Sequence, residues 1–167
     1  MSRILVTGMS GTGKSSALAE LGRRGYRVVD TDEPGWREYR RHLEPLDELH
    51  LGEWHWVEER ITALLDSDDE RSLFVGGGAS NQSKFYDRFD AVVLLTAPAD
   101  VIFDRVARRT TNDYGKIPLA RAMILEDLAV VVPLVREGCT HELDARRPLD
   151  EVVADLIAIE LHPMRTS

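Results

Sequence analysis

The segment Gly8-Met9-Ser10-Gly11-Thr12-Gly13-Lys14-Ser15 fits the spacing Gly-x-x-x-x-Gly-Lys-Ser/Thr, and these residue types at this spacing bind phosphate. The glycines let the backbone curl until successive N–H groups point at an anion, and a helix N-terminus behind them adds its positive end. Lys14 is placed to reach the β- and γ-phosphates, and the Ser15 hydroxyl to ligate Mg²⁺. Ser16 carries the loop into the helix. An apolar run (Ile4, Leu5, Val6) precedes the motif and a helical pattern (Ala17, Leu18, Leu21) follows it, which is the strand–loop–helix context such a loop requires. The chain is expected to bind a nucleoside triphosphate.

Four further constellations bear on what is done with that nucleotide. Asp30-Thr31-Asp32 closes an apolar run. Of two carboxylates at such a position, one can hold Mg²⁺ through water and the other can accept a proton from a substrate hydroxyl. Asp30 is assigned to the metal and Asp32 to the substrate, with the reverse left open. Gly76-Gly77-Gly78 clears side-chain bulk where a ligand meets backbone, and Ser80, Asn81 and Gln82 offer neutral hydrogen-bonding groups just beyond. Gly77, Gly78, Asn81 and Gln82 are therefore candidate substrate contacts. Arg105 and Arg109, four apart, share a helix face and can place positive charge over a transferred phosphoryl group. Among the aromatics Trp36, Tyr39, Trp54 and Trp56, the last two cannot both face the core of a helix. Trp54 is the candidate stacking wall for a substrate, and Arg60 and Arg37 are candidate anchors for an anionic group on it. The five histidines show no metal-ligand spacing.

The elements that must position these residues alternate strand and helix. Strands are expected at Arg3–Thr7, Arg27–Asp30, Leu73–Val75, Ala91–Thr96 and His141–Asp144. Helices are expected at Ser15–Arg24, from about Pro98, over Leu119–Val135 with a break at Pro133, and from Pro148 to before Pro163. Such units build a parallel sheet covered on both sides, with ligands collecting at the carboxyl ends of the strands. Two stretches depart from the alternation: 33–65, read as a largely helical substrate-binding insertion, and 110–118, a polar loop read as a lid. In that loop Thr111–Lys116 can close over phosphates, with Lys116 as an added donor.

The 167 residues suit one domain. The net charge of −8 opposes non-specific nucleic-acid binding, and no run is long and apolar enough for a membrane span. The single cysteine, Cys139, excludes an internal disulfide. With no signal-like start, a cytoplasmic location is the expectation, and the chain is expected to be a monomer or homodimer.

With these residues in hand, the chain resembles the small P-loop kinases of the adenylate kinase and shikimate kinase type along its whole length. The resemblance implies a three-layer α/β/α fold with a five-stranded parallel sheet of order 2-3-1-4-5, ATP on Gly8–Ser16, and Mg²⁺ at Ser15. It also implies metal-water and substrate contacts for Asp30 and Asp32, and lid arginines at Arg105 and Arg109. The turn Ala145-Arg146-Arg147-Pro148 resembles the segment that packs on the adenine ring, and the resemblance implies nucleotide contacts for Arg146 and Pro148. Both families' substrate signatures are missing: Trp54–Arg60 replaces the Phe-Arg-x-x-Glu element, and Gly76–Ala79 replaces Gly-Phe/Tyr-Pro-Arg. The expected activity is γ-phosphoryl transfer to a small molecule, with Lys14, Asp32, Arg105 and Arg109 catalytic. The alternatives are a nucleoside or nucleotide kinase and an ATP-binding regulatory protein.

Overall fold

The computed structural model describes residues 1–47, 50–109 and 118–163. Five parallel strands form the central sheet: β1 (Arg3–Gly8), β2 (Arg27–Asp30), β5 (Leu73–Gly76), β6 (Ala91–Thr96) and β7 (His141–Asp144). They lie in the order β2-β5-β1-β6-β7. Counted by the sheet's own strands this is 2-3-1-4-5. The numbering differs only because two further strands, β3 (Arg37–Arg41) and β4 (Gly52–Trp56), intervene in the chain as a separate antiparallel hairpin.

Successive side chains of β1 point to opposite faces, so Ile4 and Val6 enter one core and Leu5 the other. On the first face α1 (Lys14–Arg23) and α5 (Leu149–Leu161) bring Leu18, Leu21, Val153 and Leu156 against Phe74, Val93 and Leu95. On the second, α2 (Glu58–Asp66) and the 3-10 helix Gln82–Arg88 supply Ile61, Leu65 and Phe85. There α3 (Ala99–Arg108) and α4 (Pro118–Gly138) add Ile102, Val106 and Ile124 over Leu94 and Met9. Both faces of β1 and β6 are buried, which is why these strands read as unbroken apolar runs. Among the described residues no helix is long and apolar enough to cross a membrane.

Two expectations are corrected. The 33–65 segment is not largely helical: its first part is the β3–β4 hairpin, and only Glu58 onward is helix. The two-residue spacing of Trp54 and Trp56 is thus a strand period, which puts both on one face of the ribbon. Nor does Pro133 interrupt α4, which runs through it to Gly138. Pro133 is solvent-exposed while Val132 beside it is buried, so water can serve the carbonyl that the missing N–H leaves free.

The connection between β3 and β4 is tied to α4. His50 Nδ1 lies 2.7 Å from Asp47 Oδ1 and Nε2 lies 2.7 Å from Glu126 Oε1. Two carboxylates facing both ring nitrogens favour the imidazolium, and the bonds to Asp47 first and Glu126 second raise the His50 pKa above 6.5. A raised folded-state value means that this tie contributes fully below the unfolded pKa and is lost as pH rises through the folded one. Glu126→Gln should therefore remove part of the stability difference between about pH 6 and about pH 9, read by denaturant unfolding at both pH values.

Candidate nucleotide and acceptor site

The site lies at the carboxyl ends of β1, β2 and β5, beside the switch point where the chain leaves β1 in one direction and β6 flanks it in the other. β1 delivers Gly8, where a Cβ would stand 2.4 Å from the Leu95 carbonyl oxygen on the neighbouring strand, so only glycine fits. From there the loop turns through Met9, Ser10, Gly11 and Thr12 to Gly13, which caps α1. Thr12 pins the turn by donating its hydroxyl to the Met9 carbonyl at 2.7 Å. Lys14 is buried and folds back over the loop, its Nζ donating to the carbonyls of Gly8 (2.7 Å) and Met9 (2.9 Å). Burial pushes this ammonium below the usual lysine range, against the pull of Asp32 and Asp30 and with the help of Arg37 and Arg109. Two acids and two cations thus act on Lys14.

Ser15 and Ser16 are exposed at the start of α1. The Ser15 hydroxyl donates to Asp30 Oδ2 at 2.7 Å, which brings together a hydroxyl and a carboxylate at the metal position expected from the sequence. Hard oxygen donors of this kind suit Mg²⁺, which typically takes one or two protein ligands and completes its shell with water and phosphate oxygens. Among the described residues no group of three or more His, Cys, Asp or Glu side chains could hold a metal ion by itself. Asp30 Oδ1 accepts from the Asp32 amide at 3.0 Å, so the first carboxylate also shapes the turn presenting the second.

Arg105 and Arg109 converge on the loop as their spacing implies. Arg105 donates to the Gly11 carbonyl at 3.4 Å and also to Ala145, while Arg109 donates to Ser10 Oγ at 2.9 Å. Arg108, between them, turns to Asp104 instead. In the 145–148 turn, Arg146 forks onto Asp144, whose carboxyl it holds down to about 2, and Pro148 precedes α5. The expected lid contacts at Thr111–Lys116 lie outside the described residues.

On the acceptor side the residues sort differently from the expectation. Gly77 packs under the acid turn: its φ is +119°, and a Cβ there would stand 2.2 Å from Thr31 Oγ1 and 3.0 Å from Asp32 Oδ1. Gly78 is next to it, with Gln82 Oε1 3.2 Å from where its Cβ would be. Asn81 and Gln82, however, are buried and bonded internally. Asn81 brackets Trp56 through its N–H (2.8 Å) and carbonyl (3.1 Å), and Gln82 bonds Thr7, Ala79 and Tyr86. These groups build the wall rather than offer free donors to a substrate. Arg60 likewise spends its guanidinium on the Gly35 carbonyl and the Trp36 ring, 4.5 Å away.

Arg37 does stand at the acid pair, 3.0 Å from Asp32 Oδ1 and 4.4 Å over the Trp54 ring. Trp54 is 43% exposed and meets Tyr39, 45% exposed, edge to face at 5.3 Å. As candidate anchors Arg37 and Arg60 stand on equal terms in the sequence, and a sheet-period reading of residues 37–56 separates them, because Arg37, Tyr39, Trp54 and Trp56 share one face of the hairpin.

A family model described as AAA domain matches residues 4–126. No curated protein matches the sequence. Solved structures match over nearly the whole chain. Shikimate kinase from Acinetobacter baumannii in complex with shikimate is 17% identical, with a TM-score of 0.63, over 96% of this chain and 93% of that one. Deoxyadenosine kinase from M. mycoides with bound dATP is 13% identical, with a TM-score of 0.59, over 95% and 98%. A gluconokinase from Sinorhizobium meliloti 1021 is 22% identical, with a TM-score of 0.57, over 94% and 90%. What the chain shares with these structures is the fold.

Proposed function

The chain belongs to the AAA domain family and carries the fold of the small P-loop kinases, and from that premise we propose that it is an ATP-dependent kinase acting on a hydroxyl of a small-molecule acceptor. The observation that carries this reading is the convergence, at one end of the sheet, of a buried phosphate lysine, two loop-facing arginines, a Ser15–Asp30 pair and a second carboxylate beside an open aromatic wall. Phosphate binding alone would not need the last two.

Lys14 exchanges its carbonyl partners for phosphate oxygens, and Arg105 and Arg109 flank the same group as its charge redistributes. Asp32 aligns the acceptor hydroxyl and takes its proton while the acceptor oxygen bonds to the γ-phosphorus. The bond from that phosphorus to the β,γ-bridging oxygen breaks, and ADP leaves. Ser15 and Asp30 would hold Mg²⁺, which supplies neutralisation of the phosphate oxygens.

The exposed Trp54 and Tyr39 favour a second reading, in which the acceptor is a nucleoside or nucleotide whose base stacks on them. An acceptor screen with γ-labelled ATP, covering nucleosides, nucleotides, sugars and hydroxy acids, separates the two. Label transfer to a sugar or hydroxy acid supports the first reading, and transfer to a nucleoside with quenching of tryptophan fluorescence supports the second. ATP turnover that no acceptor stimulates would refute both.

A further inference from the structure

Arg37 and Trp56 face each other across the root of the hairpin as register partners. Each reaches the turn that carries the two carboxylates, at adjacent residues. Arg37 Nη1 is 3.0 Å from Asp32 Oδ1, and the Trp56 indole N–H donates to Thr31 Oγ1 at 3.0 Å. Thr31 is fully buried. Its hydroxyl gives its one proton to the Gly76 carbonyl at 2.7 Å, and its amide donates to the same carbonyl at 2.8 Å. With its proton committed there, the hydroxyl oxygen is free to accept, and one of its two lone pairs receives the Trp56 N–H. Trp56 is itself fully buried, packed against Phe85 and bracketed by Asn81, whereas Trp54, two residues further out on the same face, is open.

We infer that the Arg37–Trp56 pair is a two-point grip through which the hairpin positions the Asp30-Thr31-Asp32 turn, so that Asp32 meets the hydroxyl of an acceptor held at Trp54. Arg37 is shared between Asp32 and the Trp54 ring, so an acceptor on that ring bears on the same guanidinium that holds the carboxylate. Trp56 and Thr31 are positioning residues, and acceptor discrimination is expressed in kcat as well as in KM. The inference rests on the kinase reading of Asp32.

Three variants test it. Trp56→Phe keeps a ring against Phe85 and removes the N–H; Thr31→Val removes the hydroxyl; Thr31→Ser keeps it. The first two should each lower kcat for acceptor phosphorylation about tenfold or more at unchanged KM for ATP. Thr31→Ser should retain activity, and the double variant Trp56→Phe/Thr31→Val should be no worse than Thr31→Val alone, which already lacks the hydroxyl that Trp56 bonds. A second readout does not need turnover: amide exchange at Thr31 and Asp32, followed by NMR, should speed up in Trp56→Phe and Thr31→Val and stay unchanged in Thr31→Ser. Wild-type exchange in the first two variants, or wild-type kcat in either, overturns the grip. A wild-type chain that phosphorylates no acceptor overturns the kinase reading alone, and the exchange data still decide whether the hairpin fixes the turn.

Discussion

Replacing Lys14 with methionine is expected to lower phosphoryl transfer by roughly a thousandfold, about 4 kcal/mol of lost transition-state stabilisation, while the protein stays folded. The side chain is a buried cation of the loop, held by the carbonyls of Gly8 and Met9. Its charge is already disfavoured by burial, so methionine of similar length relieves a desolvation cost while giving up two hydrogen bonds. These terms oppose one another, and the melting temperature should move little. Single-turnover rates and thermal denaturation of the same preparation check both halves. Normal turnover would remove Lys14 from the chemistry, whereas a collapsed melting temperature would make the lysine a structural residue.

Asp32→Asn is the second large effect. The amide keeps an oxygen for Arg37 but cannot take the acceptor proton, and loss of a general base costs about 10²–10⁴-fold. The Ser15–Asp30 pair does not involve the Asp32 side chain, so affinity for ATP should stay within a few-fold of wild type. The measurement is kcat for acceptor phosphorylation set against ATP affinity from a fluorescent analogue. Equal losses in both would move Asp32 to the metal side and Asp30 to the acceptor side.

The nucleotide half of the site is legible in the chain because it depends on local order. A strand, a glycine loop and a helix follow one another within Arg3–Arg23, so spacing alone places Lys14 and Ser15. Arg105 and Arg109 are legible for the same reason, lying one helical turn apart. The candidate acceptor half is assembled from segments distant in sequence, and there local pattern misleads. Trp54-His55-Trp56 follows a stretch rich in helix-compatible charged residues and suggests a helix with one tryptophan out. The residues are in fact paired with Arg37-Glu38-Tyr39 across a ribbon, a long-range pairing that no window of the sequence displays. Asn81 and Gln82 look like free donors after a glycine run because sequence does not show that Trp56 and Thr7 are waiting for them. Thr31 passed as the spacer between two aspartates, although its buried hydroxyl joins the hairpin to the sheet.

β3 and β4 pair with one another rather than with a strand of the five-stranded sheet, and β4 is joined to the rest of the molecule through Asn81, Ser80 and Thr31. Substitutions at the exposed Trp54 and Tyr39 therefore leave the pairing of the central sheet intact, and on the kinase reading proposed above the recognised acceptor can change without a change of fold. If the Arg37–Trp56 grip holds the acid turn as inferred above, the constraint falls on the inner end, where a replacement must again supply a donor for Thr31 and a cation for Asp32. Descendants of such a chain would diverge at the ribbon's tip and be held constant at its root.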